Sequence, residues 1–224
     1  MITVCVALSG CVLRAPAPEP ASDRPDPTEL VREYVTAIAE GDATRARELD
    51  QKAVDAEAEN QRLTARPPDD PDAMRNDAVL QSATLIDNVE VTLPFKDLDD
   101  DQVLVDVEFD VGNHHESRAL SVQWDDAAEE WELASSMAYP TRVWAEKSKL
   151  EDGVAPFRVD GWPDVLAPLS DSPNAYLAYP GVYTITAAFP FELLQDQSTA
   201  VQTVEVYLGS DDVTFDVTEL PASP

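Results

Sequence analysis

The sequence predicts an α+β chain in which helices come first and antiparallel strands follow. Apolar residues recur with a helical period from Leu30 to about Ala58, and from Thr84 the period changes to two. Beyond residue 140, short alternating segments separated by turn residues predict a small all-β unit. Three divisions are expected: a leader and tether over 1–25, an α+β domain over 26–139, and a β module over 140–224.

The first division carries the most specific signal. Leu8-Ser9-Gly10-Cys11 follows a short apolar run from Ile2. This tetrapeptide resembles a bacterial lipobox, in which the cysteine thiol receives diacylglycerol and becomes the first residue after cleavage. That resemblance implies lipidation at Cys11 and a membrane partner reached through the lipid, without a spanning helix. No Lys or Arg precedes Cys11, which a start upstream of Met1 would explain. The competing reading is a short apolar strand that ends in Gly-Cys. Arg14 to Pro27 is rich in Pro and small or charged residues, so it reads as an extended spacer between lipid and domain.

The second division opens with Asp26-Pro27-Thr28-Glu29. Asp26 is a helix cap, Pro27 suits the first turn, and Glu29 completes a capping-box pattern. Leu30, Val31, Tyr34, Val35 and Ile38 then share one helical face, and Gly41 ends the helix. Asp42 starts a second helix, Ala43 to about Ala58. Arg66 to Pro71 reads as a loop before a short helix near Asp72 to Leu80. Leu85 to Leu93 and Gln102 to Val111 read as strands. In the latter, Val103, Val105, Val107, Phe109 and Val111 alternate with Leu104, Asp106, Glu108 and Asp110. Gly112 to Glu116 reads as a turn, Ala119 to Trp124 as a strand, Asp125 to Glu130 as a hairpin turn, and Trp131 to Ser135 as the returning strand.

Two segments, Val31 to Asp42 and Trp124 to Leu133, carry a family resemblance. The first is similar to the opening helix and exit of the NTF2-like (cystatin-like) superfamily, and the second to its late hairpin with a terminal tryptophan. The resemblance is in particular to small lipoproteins of actinobacteria. The resemblance implies helices packed on a curved sheet that often encloses a ligand cavity, and it implies no catalytic residue.

The third division reads as strands Ala155 to Val159, Asp164 to Leu166, Val182 to Ala187, Val201 to Tyr207 and Val213 to Val217. Residues 138–150 read as a connection with a strand near Arg142 to Trp144. Tyr179-Pro-Gly-Val-Tyr-Thr-Ile-Thr186 is similar to the opening strand of small β-sandwich modules in surface proteins. A plain Pro-Gly turn before an amphipathic strand explains the same residues.

Composition narrows function. The net charge is −29, from 44 acidic against 15 basic residues. Such a surface repels phosphate backbones, so no nucleic-acid partner is expected. Cys5 and Cys11 are the only cysteines, so a chain processed at Cys11 has no thiol for a disulfide, zinc site or nucleophile. Asp97, Asp99 and Asp101 have the first spacings of a calcium loop, but Gln102 stands where its sharp turn needs Gly. They are weak candidates for a divalent cation against a plain charged turn. His114-His115-Glu116 is the only histidine cluster, and neighbours on an extended backbone face opposite ways. Asp106, Glu108 and Asp110 form either a solvated face or the lining of a concave cavity. Trp124, Trp131, Trp144 and Trp162 read as core or interface anchors. No cofactor is expected. The sequence favours a non-catalytic binding or scaffolding module in the envelope, with a protein or small-molecule partner. The alternatives are an enzyme or ligand carrier using an NTF2-like cavity, and a weak cation-binding surface protein.

Overall fold

The computed structural model describes residues 24–62, 72–94, 101–146, 157–164, 166, 175–189, 192, 194–209 and 213–216. Cys11, Asp97, Asp99, the tether before Arg24 and the loop at 66–71 lie outside them.

Helix α1 runs Pro27–Glu40. The Asp26 carboxylate accepts from the Thr28 amide at 2.9 Å, satisfying a donor the first turn leaves unpaired. Gly41, at φ 78°, closes the helix in the left-handed region that favours glycine. Helix α2 covers Ala43–Arg62, with Asp42 accepting from the Arg45 amide at 2.8 Å. Helix α3 is shorter than expected, Asp77–Ser82, because Asn76 caps it and residues 72–76 form turns. The Asn76 side chain accepts from the Val79 amide at 3.0 Å.

Strands β1 (Asp87–Thr92), β2 (Gln102–Val111), β3 (His114–Asp125) and β4 (Glu130–Leu133) form an antiparallel meander in that order. Val103, Val105, Val107, Phe109 and Val111 are all buried, as the alternation predicts. The turn before β3 differs from expectation. Val111 pairs with His114, so Gly112 and Asn113 alone make the turn and both histidines belong to the strand. Gly112 sits at φ 58°, which is why two residues suffice.

Residues 139–146, expected to be mostly a connection, form strand β5 (Tyr139–Glu146). It lies centrally between β7 (Ala175–Ala178), its antiparallel neighbour, and β10 (Val213–Asp216), its parallel one. A third sheet orders β6 (Phe157–Val159), β8 (Gly181–Ala187) and β9 (Val201–Val206).

One buried cluster extends from Val31 to Phe215, spanning residues on both sides of position 139. Backbone bonds also cross: Thr84 and Val182 exchange both of theirs at 2.9 Å. Gly161, at φ 82°, lies so close to α3 that a Cβ would meet the Ala78 carbonyl oxygen at 2.0 Å. The chain is α+β, with helices packed on a curled antiparallel sheet.

Candidate functional site

Among the described residues, Asp50 is a carboxylate with no solvent exposure. Ala43, Ala46, Asp50, Ala53 and Val54 make the buried stripe of α2, and the small alanines let the helix settle deeply enough to submerge a carboxylate. Asp50 Oδ1 accepts from Arg75 Nη2 at 2.6 Å and from the Tyr179 hydroxyl at 3.1 Å. Its Oδ2 accepts from Ser136 Oγ at 2.6 Å and from the Tyr34 hydroxyl at 2.9 Å. The donors bring α1, the turn before α3, the β4–β5 loop and the β7–β8 turn to one point. Each hydroxyl also accepts in turn. Tyr34 takes the Met137 amide at 2.9 Å, Ser136 the Ala138 amide at 2.9 Å, and Tyr179 the Arg75 guanidinium at 3.2 Å.

Burial pushes the Asp50 carboxyl above its ordinary range, against the pull of Arg75 and of the hydrogen bonds from Ser136, Tyr34 and Tyr179. Burial, then the neighbouring Asp50 charge, drives the Tyr34 and Tyr179 hydroxyls far above theirs. All four carboxylate contacts are used, and Asp50 and Arg75 are fully buried. This arrangement ties segments together; it presents no group to a substrate. Sequence reasoning missed Asp50 and Arg75. The available signal for Asp50 was an acidic residue inside an alanine-spaced helical stripe.

A second polar group lies on the inward face of β3. His114, Glu116 and Arg118 alternate on the same side as buried Leu120 and Val122. His114 stacks on Tyr207 with centroids 4.2 Å apart, and its Nε2 lies 2.6 Å from Glu116 Oε1. The Arg118 guanidinium covers the Tyr139 ring at 4.9 Å. Tyr139 and Thr141 are each 4% exposed and lie on the same face of β5; among the described residues the Thr141 hydroxyl has no hydrogen-bond partner, while the Tyr139 hydroxyl lies beside Arg118. Burial raises the Tyr139 hydroxyl above its ordinary range, and the nearby Arg118 charge draws it partly back.

The carboxylates of β2 turn the other way. Asp106, Glu108 and Asp110 occupy the alternate face, away from the buried valines. Asp110 accepts from Asn88 Nδ2 at 2.7 Å and meets His115 Nδ1 at 2.7 Å, which hold its carboxyl below the usual range. The same contact with Asp110 raises His115. The two histidines therefore face opposite sides. Among the described residues, no group of three or more His, Cys, Asp and Glu side chains is arranged to hold a metal. Of the calcium-loop candidates only Asp101 is described, and its carboxylate pairs with Arg24 at 2.9 Å.

At the far end of the sheet, Trp124 and Trp131 pair across β3 and β4, edge to face at 5.3 Å. A surface cleft of about 390 Å³ lies beside them, lined by Gln123, Trp124, Asp125, Asp126, Ala127 and Glu132. No helix among the described residues is long and apolar enough to cross a membrane. No protein-family model matches the chain, and no curated protein or solved structure matches it either.

Proposed function

We propose that this is a lipid-anchored envelope protein whose folded part is a non-catalytic binding or scaffolding module, held through Cys11 on the extracytoplasmic face. On this reading the first half is NTF2-like in its finer plan and the second half is a sandwich-like β module. The saturated Asp50 centre carries the non-catalytic part. The most strongly buried acid in the described chain is spent on four internal donors, so it rigidifies the scaffold and takes no proton from a ligand. Leu8 to Cys11 and the proline-rich spacer support the anchor. Cys11→Ala tests it: the variant should lose lipid labelling and leave the detergent phase. Unchanged partitioning would remove the lipoprotein reading.

A small-ligand carrier is the second reading, and the row His114, Glu116 and Arg118, with a buried Thr141 hydroxyl that has no partner among the described residues, favours it. Buried polar atoms without protein partners are costly unless something else bonds them. Native mass spectrometry of the purified chain should then show a bound small molecule that Arg118→Met releases. An unliganded mass in both proteins rejects this reading.

A further inference from the structure

We propose that the β3–β4 hairpin carries a binding site for an arginine side chain, and that Arg24, at the end of the tether, is its ligand. The proposal rests on reading the residues before Asp26 as a tether. The guanidinium of Arg24 lies 5.0 Å from the Trp124 ring centroid and 5.8 Å from that of Trp131. Its Nη2 bonds Asp101 Oδ1 at 2.9 Å and lies 3.9 Å from Asp126 Oδ1. The Arg24 side chain is only 21% exposed, although its two carboxylate partners are 71% and 83% exposed. Both tryptophan rings lie beside it. A planar, weakly hydrated cation flanked by carboxylates suits such a site better than a compact ammonium does.

The next residue is held as well. Trp131 Nε1 donates to the Pro25 carbonyl at 2.8 Å, so one indole binds the backbone and contributes to the guanidinium's aromatic wall. The rigid framework comes from the sheet: Trp124 pairs with Trp131 across the ladder, and the Trp124 amide donates to the Asp101 carbonyl at 2.8 Å, fixing that acid beside the ring. Arg24 stands where the two tryptophans meet the acids. Docking fixes the corner from which the tether leaves. The Gly112 turn lies at the opposite end of a ladder of ten residue pairs, about 33 Å away at strand rise.

Chemical rescue in the full chain tests the site. Arg24→Ala should shift the indole resonances of Trp124 and Trp131 and speed hydrogen exchange at Trp131 Nε1 roughly tenfold. The Trp162 indole, elsewhere in the fold, should stay unchanged. N-acetyl-arginine methylamide at tens of millimolar, roughly the range a solvent-edge cation–π contact supports, should restore both signals. The lysine analogue at equal ionic strength should not. Unchanged resonances in Arg24→Ala, equal action of the two analogues, or no rescue by either would each overturn the proposal. None of these readouts depends on lipid at Cys11, so they fail separately from the anchor reading.

Discussion

Asp50 Oδ1 lies 2.6 Å from Arg75 Nη2, and both side chains are wholly excluded from solvent. The pair joins α2 to the turn before α3, and Tyr179 extends the tie to the β7–β8 turn. A buried ion pair of this kind need not add net stability, because desolvating two charges offsets their attraction. Removing one partner is different, since it strands the other.

Arg75→Met should therefore cost about 3–5 kcal/mol in urea unfolding, and Asp50→Leu a comparable amount. The double variant should cost clearly less than the sum, because neither charge is left alone. The pH dependence has a definite sign. Loss of Arg75 removes a pull that lowers Asp50, so its folded-state pKa rises further above its unfolded value. A raised carboxyl stabilises fully below the unfolded pKa and loses that contribution as pH rises through the folded one. Arg75→Met should thus approach wild type on acidification and fall behind at neutrality. A deficit that stays constant with pH would show that Asp50 is not the source.

His115 and Asp110 make a testable pair at the surface. His115 is raised by its bond to Asp110, and Asp110 is lowered by Asn88 and His115. The raised histidine contributes stability below its unfolded pKa and loses it as pH climbs through the folded value. The lowered carboxyl contributes above its unfolded pKa and loses it as pH falls through its folded value. The pair therefore helps most in weakly acidic solution. NMR titration should show the His115 pKa falling in Asp110→Asn toward the free histidine value. An unmoved His115 would sink the assignment.

Gly161→Ala tests how tightly the β6 end sits on α3. The residue has φ 82°, and an added Cβ would overlap the Ala78 carbonyl. Backbone strain and displacement of α3 should together cost more than about 2 kcal/mol, read as a drop in the urea midpoint. Gly209→Ala is the control: its φ is 85°, but no atom of the described residues lies within 4 Å of the added methyl. It should cost no more than the strain alone, about 1 kcal/mol.

Local chemistry made much of the fold legible before the structure. Asp26, Pro27 and Gly41 bound α1 through capping rules that need no tertiary information, and β2 follows from strict alternation between Val103 and Val111. What escaped depends on tertiary context. Ala175–Ala178 has no alternation to mark β7, and β5 contains Pro140, tolerated where it pairs with Leu177. The histidines read as a turn because Gly112 and Asn113 suggested a longer one; pairing with β2 draws them into the ladder. The bond from Tyr179 to Asp50 alone spans 129 positions, a relationship no local pattern encodes. Of the two readings of Asp106, Glu108 and Asp110, the outward face is the one the structure shows, and the polar inward row comes from β3.

The acidity itself gives the last prediction. A net charge of −29 makes compaction work against self-repulsion, and added salt shortens the range over which that repulsion acts. The melting temperature should rise by roughly 5 °C between about 20 and 500 mM NaCl, most of it at the lower concentrations, where the Debye length shrinks fastest. The Arg24–Asp101 contact weakens over the same range, but an exposed pair contributes little and will not reverse the trend. Calcium separates general screening from a site. If Asp97, Asp99 and Asp101 bind it, millimolar Ca²⁺ will stabilise beyond matched ionic strength, and Asp99→Asn with Asp101→Asn will abolish that excess. The expected result is screening without a calcium increment, since Asp101 is already engaged by Arg24 and Gln102 is committed to β2. A calcium-specific rise that depends on those two aspartates would make the segment before β2 a cation site and displace Arg24 from Asp101.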